Sequence, residues 1–106
     1  MDQIQQSLKK SRRLQSRHPG RIPVVVIAGN LTMKMSKFLP HQDSTLGAFM
    51  ICVRGYIEKV KSTEALIMFV CGTMPPLTAM IGTIYRDYAS PDGYLHVQIS
   101  RENTFG

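Results

Sequence analysis

The chain opens with a polar segment in which apolar residues recur at helical spacing. Met1, Ile4 and Leu8 form a thin apolar stripe, and basic residues fall on the flank away from it. The pattern predicts a short amphipathic helix from Asp2 to about Gln15. The His-Pro-Gly sequence that follows ends this helix, because the residue before a proline disfavours helical dihedrals and glycine favours a turn.

A continuous β-branched run comes next. Residues 22–28 are β-branched almost throughout, which is typical of a strand covered on both faces. Gly29 and Asn30 favour a turn, and residues 31–39 are predicted to return as a second strand. Together they predict a β-hairpin, which Pro40 ends.

The strongest helical pattern follows three candidate N-cap residues, Asp43, Ser44 and Thr45. Its apolar face is formed by Leu46, Phe49, Met50, Val53 and Ile57. These positions share one side of a helix, so the helix is expected to pack across a sheet. Gly55 weakens its last turn by about 1 kcal/mol relative to alanine.

Three further elements complete the predicted order. They are a buried strand over residues 65–70, a short helix over residues 80–88 and a half-buried strand over residues 94–99. Two strands, a crossing helix and two more strands form the α+β order of a ubiquitin-like β-grasp, with a four-stranded mixed sheet and a preceding N-terminal helix. The predicted organisation is a basic helical arm (1–20), the β-grasp domain (21–99) and a C-terminal tail (100–106).

Positive charge is concentrated in the arm. The 106-residue chain carries a net charge of +6. Residues 1–22 hold six basic residues and one acidic residue, a net +5, whereas the other 84 residues hold seven basic and six acidic, a net +1. The arm is therefore expected to touch an acidic surface such as a membrane, an acidic protein tail or a nucleic acid. A solvated helix face is an equally weighted alternative.

Composition excludes several classes of protein. No apolar run reaches the roughly 18 residues of a membrane span, and the polar N-terminus does not read as a signal peptide. Cys52 and Cys71 lie within apolar stretches, so they are expected to be buried, reduced thiols of a cytosolic protein. With His18, His41 and His96 scattered over three segments, no metal site and no catalytic site are expected.

Short motifs in a fixed order carry a family resemblance. Residues 17–26 contain His-Pro-x-x-Ile-Pro-Val-Val, and residues 37–39 read Lys-Phe-Leu. The other motifs are residues 45–49, 65–70, 75–76, 80–85, 92–95 and the terminal 104–106, Thr-Phe-Gly. Over about residues 12–106 the chain resembles the autophagy ubiquitin-like modifiers, the family of the microtubule-associated protein light chains and the GABA-receptor-associated proteins.

The resemblance implies a modifier and not an enzyme. Family members are joined through a C-terminal glycine to phosphatidylethanolamine, so Gly106 is the expected conjugation residue and this lipid the only expected covalent group. The implied partners are ubiquitin-like activating and conjugating enzymes, a deconjugating cysteine protease and cargo receptors. The implied location is the cytoplasm and, after lipidation, the autophagosome membrane.

The resemblance also implies binding of short aromatic-x-x-aliphatic motifs. An extended peptide pairs with the open edge of the second strand, and two pockets receive its alternate side chains. The first predicted pocket is lined by Leu14, Pro23, Val25, Lys37, Leu39 and Tyr94. The second is lined by Arg21, Phe38, Pro40, Phe49, Cys52 and Val53. Because side chains alternate along a strand, Phe38 is expected to point outward if Leu39 points inward.

Other functions stay open beside this one. The nearest is a ubiquitin-like modifier joined to a protein lysine instead of a lipid. Another is a non-conjugated microtubule-binding module that uses the basic arm on acidic tubulin tails. Nucleic-acid binding is disfavoured, because the arm has no aromatic residue on which bases could stack.

Overall fold

The computed structural model describes residues 2–102 of the chain. Its elements, in order, are α1 (Asp2–Arg17), β1 (Val24–Ala28), β2 (Thr32–Met33), β3 (Lys37–Phe38), α2 (Leu46–Arg54), β4 (Ile57–Glu58), β5 (Leu66–Phe69), α3 (Ile81–Tyr88) and β6 (Leu95–Arg101). The N-terminal helix extends two residues beyond the predicted Gln15. None of the helices described is long and apolar enough to cross a membrane.

Four strands form the main sheet in the order β3-β1-β6-β5. The central pair, β1 and β6, is parallel over its whole length, from Val24 opposite Leu95 to Ala28 opposite Ile99. Strand β3 pairs antiparallel with β1, and β5 pairs antiparallel with β6. The sheet is therefore mixed, and the predicted β-grasp arrangement is confirmed.

The hydrophobic core lies between one face of this sheet and α2. Residues opposite each other in neighbouring strands share a face, so the register aligns one layer of apolar side chains. The buried side chains from the sheet are Val24, Val26, Phe38, Leu66, Met68, Leu95, Val97 and Ile99. Those from α2 are Leu46, Phe49 and Val53. Fully burying one such side chain contributes roughly 1.5–3 kcal/mol, so this layer dominates stability.

The boundaries of α2 follow local chemistry. Thr45 is its N-cap, since its hydroxyl oxygen accepts a hydrogen bond from the Ala48 amide at 3.1 Å. At the other end the Gly55 amide donates to the Cys52 carbonyl at 3.2 Å. The prediction that Ile57 continues the helical stripe is wrong, because the chain leaves the helix after Arg54. Ile57 is still buried, but from β4.

The predicted second strand is divided into two. The Val26 amide donates to the Ser36 carbonyl at 2.7 Å, so the chain around β3 pairs with β1. Two residues earlier in the chain, the Lys34 amide donates to the Tyr56 carbonyl at 2.9 Å. Strand β2 therefore turns away from β1 and pairs with β4 as a separate two-stranded sheet. The prediction of a single hairpin over residues 22–39 is therefore wrong for β2, which pairs with β4, although β3 does pair with β1.

The expectation that both cysteines are buried is also wrong. Cys52 and Cys71 are exposed free thiols. On α2 the inward positions are Phe49 and Val53, so Cys52 between them points outward. Cys71 follows β5 in a turn with a φ of 50°. Apolar sequence neighbours do not bury a residue whose own position faces solvent.

Candidate functional site

The edge of β3 away from β1 has no strand partner among residues 2–102. The Ile22 and Val26 amides donate to the carbonyls of Pro40 and Ser36, and Val24 lies opposite Phe38. Residues 36, 38 and 40 therefore face β1. In an antiparallel pair, the residues that alternate with the hydrogen-bonded ones turn their backbone groups away from the partner strand. The N–H and C=O groups of Lys37 and Leu39 therefore point to the open edge, although the Arg21 guanidinium donates to the Leu39 carbonyl at 3.1 Å.

A cavity that we call the phenylalanine pocket lies between β3 and α2. It has a volume of about 260 Å³ and is lined by Arg21, Phe38, Leu39, Pro40, His41, Ser44, Ala48, Phe49 and Cys52. Five of the six residues predicted for the second peptide pocket are among them. The sixth, Val53, is fully buried in the core.

Phe38 does not point outward as predicted. It shares a sheet face with Val24, which is completely buried, and only 9% of Phe38 is exposed. Its ring packs edge-on against Phe49 at 5.6 Å and against Tyr56 at 5.4 Å between centroids. Phe38 is therefore a core residue whose rim lines the phenylalanine pocket.

A second cavity, which we call the basic pocket, lies between α1 and the open face of the sheet. It has a volume of about 280 Å³ and is lined by Lys10, Arg13, Leu14, Arg17, Lys37 and Tyr94. Leu14, Lys37 and Tyr94 were predicted for the first peptide pocket. Of the others predicted there, Pro23 is fully buried, Val25 is half-buried outside the lining and Leu39 lines the phenylalanine pocket instead.

The predicted lining of the first pocket omits three residues that the structure places there, Lys10, Arg13 and Arg17. They are spaced at i, i+3 and i+7, so they share one face of α1 with Leu14. The sequence predicts that this flank lies away from the apolar stripe and that the basic arm touches an acidic surface, but it does not predict a pocket there. In the structure this flank faces the pocket.

Hydrogen bonds join α1 to the loop before β6. Ser11 is fully buried, and its hydroxyl oxygen lies 2.9 Å from the carbonyl oxygens of both Asp92 and Leu8, which share its single proton. The Gln15 side-chain amide donates to the Tyr85 hydroxyl at 3.1 Å, which in turn donates to the Gly93 carbonyl at 2.8 Å. Gly93, with a φ of +82°, leaves no room for a Cβ beside Ser11. These contacts hold α1 where it forms one wall of the basic pocket.

Tyr94 forms the floor of the basic pocket. Burial, and secondarily the neighbouring Asp92 carboxylate, raise the pKa of its phenol above the ordinary value of 10.0. The phenol is therefore neutral at physiological pH. Lys37 lies over the ring, with its Nζ 5.9 Å from the centroid.

Arg101 fixes the point where the chain leaves the sheet. Its guanidinium Nε donates to Glu64 Oε2 at 2.7 Å, and its other nitrogens donate to the carbonyls of Asn30 and Lys59 at 3.0 and 3.1 Å. A hydrogen bond from the Lys61 amide, followed by that from Arg101, lowers the pKa of Glu64. The predicted conjugation residue, Gly106, lies outside the described residues. Within residues 2–102 no cluster of metal-ligating side chains is present.

Comparisons with known proteins agree on one family. The family model described as "Autophagy protein Atg8 ubiquitin like" matches residues 6–106. Autophagy-related protein 8 of Dictyostelium discoideum is 37% identical over 98 residues, which span 89% of this chain and 80% of that protein. Autophagy-related protein 8a of Arabidopsis thaliana is 34% identical over 107 residues, spanning 97% of this chain and 87% of the relative.

Solved structures share the fold. Trypanosoma brucei ATG8 matches with a TM-score of 0.86 at 27% identity, covering 97% of this chain and 91% of that one. Plasmodium falciparum Atg8, solved in complex with a P. falciparum Atg3 peptide, matches with a TM-score of 0.80 at 24% identity, covering 96% and 93%. The homologues are ubiquitin-like modifiers and not enzymes. The chain therefore belongs to the Atg8 family of ubiquitin-like autophagy proteins.

Proposed function

We propose that this protein is conjugated through Gly106 to phosphatidylethanolamine on autophagosomal membranes, and is cytoplasmic before conjugation. Family membership supports this proposal, and the family match extends through residue 106. A glycine without a Cβ suits a tail that must thread a narrow catalytic groove. The Arg101 contacts with Glu64 hold the base of this tail against the sheet. Two acyl chains bury far more CH₂ groups than a single myristoyl chain, so the anchor is stable until cut.

A conjugation assay tests the lipid attachment. The wild type and a Gly106→Ala variant are incubated in extract of the source cell with liposomes containing phosphatidylethanolamine, and products are identified by intact mass. The expected result is a lipid-sized increment that is lost in Gly106→Ala. Gly29→Ala is the matched control, because a Cβ at Gly29 meets Ser100 at an ordinary 3.8 Å and should leave conjugation intact.

Other products would point elsewhere. A glycine-dependent adduct of protein size would favour conjugation to a protein lysine. No glycine-dependent product, while the extract's own modifier reacts normally, would contradict conjugation. Co-sedimentation with microtubules that needs no Gly106 would then favour the microtubule-binding alternative.

The second part of the proposed function is binding of aromatic-x-x-aliphatic peptides at β3. The supporting observation is that the two pockets flank one open strand edge on opposite faces of the sheet. Lys37 lines the basic pocket and the next residue, Phe38, lines the phenylalanine pocket. In an extended peptide, residues i and i+3 point to opposite faces about 10 Å apart. The spacing of the motif therefore sends its two side chains to opposite faces of the sheet, where the two pockets lie.

Peptide spacing provides the test. Fluorescently labelled peptides with two or with one residue between a phenylalanine and a leucine are compared by fluorescence anisotropy. The two-residue spacing should bind more tightly, because the one-residue spacing places both side chains on the same face. Equal affinities would contradict strand addition across both pockets.

The proposed partners follow from these two activities. Conjugation requires activating and conjugating enzymes, release from the lipid requires a deconjugating cysteine protease, and peptide binding would recruit cargo receptors. The P. falciparum relative was solved with an Atg3 peptide, which supports a conjugating enzyme among the partners of this chain.

A further inference from the structure

The basic pocket combines an aromatic floor with a cationic wall. Lys10, Arg13 and Arg17 line it from one face of α1, and Lys37 lines it from β3. The remaining lining residues, Leu14 and Tyr94, are apolar or aromatic. Leu14 and Tyr94 provide the apolar surface of the lining, against which a flat ring could pack, and the other four side chains are cationic. No carboxylate is among the lining residues.

The hydrogen-bonding character of this pocket is one-sided. Lysine and arginine side chains donate hydrogen bonds and accept none. The neighbouring carboxylate, Asp92, is occupied, because one oxygen accepts from the Tyr94 amide and the other lies 2.9 Å from His96 Nε2. Among the lining side chains, only the Tyr94 hydroxyl has an acceptor oxygen. The pocket therefore favours a guest that accepts hydrogen bonds over one that donates them.

Aromatic side chains differ in this property. The indole of tryptophan has a single N–H donor, which needs an acceptor when it is buried. Phenylalanine neither donates nor accepts. The tyrosine oxygen accepts, and a phosphate on that oxygen adds negative charge and several acceptor oxygens, which arginine binds in bidentate geometry.

We propose that the basic pocket selects a tyrosine ring and binds it most tightly when the ring carries a phosphate, with tryptophan as the disfavoured ring. This inference rests on the proposed peptide binding at β3. It names the class of partner as a protein segment whose motif begins with a tyrosine that can be phosphorylated. Phosphorylation of that tyrosine then strengthens recruitment.

Four labelled peptides that differ only at the ring position provide the test. They carry phosphotyrosine, tyrosine, phenylalanine or tryptophan in an otherwise neutral sequence, and affinity is measured by fluorescence anisotropy. Phosphotyrosine should bind at least about tenfold more tightly than tyrosine, since hydrogen bonds to charged groups are the stronger ones. Tryptophan should bind more weakly than phenylalanine. A fifth peptide has phenylalanine at the ring position and phosphoserine before it. Its affinity should exceed that of the phenylalanine peptide by a smaller factor than the affinity of the phosphotyrosine peptide exceeds that of the tyrosine peptide.

Variants of α1 locate the effect. The double variant Arg13→Gln and Arg17→Gln should bring the phosphotyrosine and tyrosine affinities to within about twofold of each other. The matched control, Lys9→Gln and Arg12→Gln, removes the same charge from exposed positions outside the lining and should keep the preference. Lys10→Glu adds an acceptor to the pocket and should improve tryptophan binding, whereas Lys9→Glu should not. Circular dichroism checks that α1 is retained.

The outcomes separate this inference from the proposed function. Peptides that all bind, but with tryptophan equal to or tighter than tyrosine, or with no gain from the phosphate, would overturn the inference and leave peptide binding standing. If phosphoserine increased affinity as much as phosphotyrosine does, the proposal that the pocket binds a phosphate on the ring itself would be overturned. Failure of every peptide to bind would remove both. The protein could instead bind vesicles of phosphatidylinositol phosphates through Arg13 and Arg17, with no higher affinity for the phosphotyrosine peptide than for the tyrosine peptide. That result would identify a membrane surface, and not a peptide, as the ligand of the basic pocket.

Discussion

The two pockets beside β3 are built in different ways. The phenylalanine pocket is lined by Phe38 and Phe49, whose side chains are at the same time part of the hydrophobic core. The basic pocket takes one wall from α1, which is outside the sheet and is held by hydrogen bonds from Ser11 and Gln15. In the phenylalanine pocket, the residues that would bind a ligand also stabilise the fold. In the basic pocket, the residues on α1 can change without disturbing the core.

This difference indicates where the protein can change its specificity. Substitutions of Phe38 or Phe49 in the phenylalanine pocket disturb core packing and carry a cost in folding. Substitutions at Lys10, Arg13 or Arg17 change charge on an exposed helix face, where most replacements alter stability by less than about 0.5 kcal/mol. The basic pocket is the part of the site whose ligand preference is free to vary while the fold stays intact.

The largest expected effect is on folding and comes from Phe49→Ala. This ring is buried between α2 and the sheet and packs against Phe38, so its removal opens a cavity. We expect the free energy of unfolding to fall by about 3–5 kcal/mol, measured by denaturant titration. The control is Ile51→Ala on the same helix, which is 73% exposed and should change stability by less than about 0.5 kcal/mol. Similar losses for the two variants would contradict the core role of the phenylalanine pocket.

The next largest effect is expected for Gly93→Ala, which tests whether the contact with Ser11 holds α1 against the rest of the domain. Gly93→Ala places a Cβ against Ser11 at a backbone with positive φ, whereas Gly72→Ala has the same sign of φ and open space around it. Both should lose about 1–2 kcal/mol from backbone strain. Gly93→Ala should in addition displace α1, which hydrogen exchange would report as lost protection of its amides. Equal protection of α1 in both variants would show that Ser11 does not fix the helix.

The same contrast explains what the sequence could predict. Five residues of the phenylalanine pocket were predicted because the family resemblance assigns them position by position, and the helical stripe independently places Phe49 on the inner face of α2. Arg13 and Arg17 were missed because the orientation of α1 depends on contacts between residues far apart in the chain. The Ser11 contact with Asp92 spans 81 positions, and no local periodicity records it.

Two errors in the predicted fold have a similar origin. Alternation along residues 31–39 indicates strand conformation but not the partner strand, and Lys34 pairs with Tyr56 instead of with β1. Phe38 was placed outward on the assumption that Leu39 points inward. The register opposite Val24, which decides the question, is a property of the folded sheet. The local sequence predicts that a segment forms a strand. Which strand it pairs with, and which side chains point into the core, depend on residues far away in the chain.

A smaller effect on folding, but a clear one on binding, is expected for Leu39→Ala. Leu39 is half-buried, and its backbone groups lie at the open edge of β3 where a peptide would pair. We expect affinity for a phenylalanine-x-x-leucine peptide to fall by roughly tenfold, as for other anchoring contacts. Stability should fall less than in Phe49→Ala, because less apolar surface is lost. Unchanged affinity in a folded Phe38→Ala and Leu39→Ala double variant would remove the pocket assignment.

The smallest expected effect is a change in stability at alkaline pH, and it belongs to the basic pocket. Burial raises the pKa of Tyr94 above 10.0, so the folded protein holds the phenolic proton more tightly than the unfolded chain does. The stability contribution of the neutral phenol is complete below the unfolded pKa and is lost as pH rises through the folded pKa. Tyr94→Phe keeps the ring and removes this titration. Its free energy of unfolding should therefore decline less than that of the wild type above about pH 10, the ordinary pKa of a phenol. Parallel curves for the wild type and Tyr94→Phe would contradict the raised pKa of Tyr94.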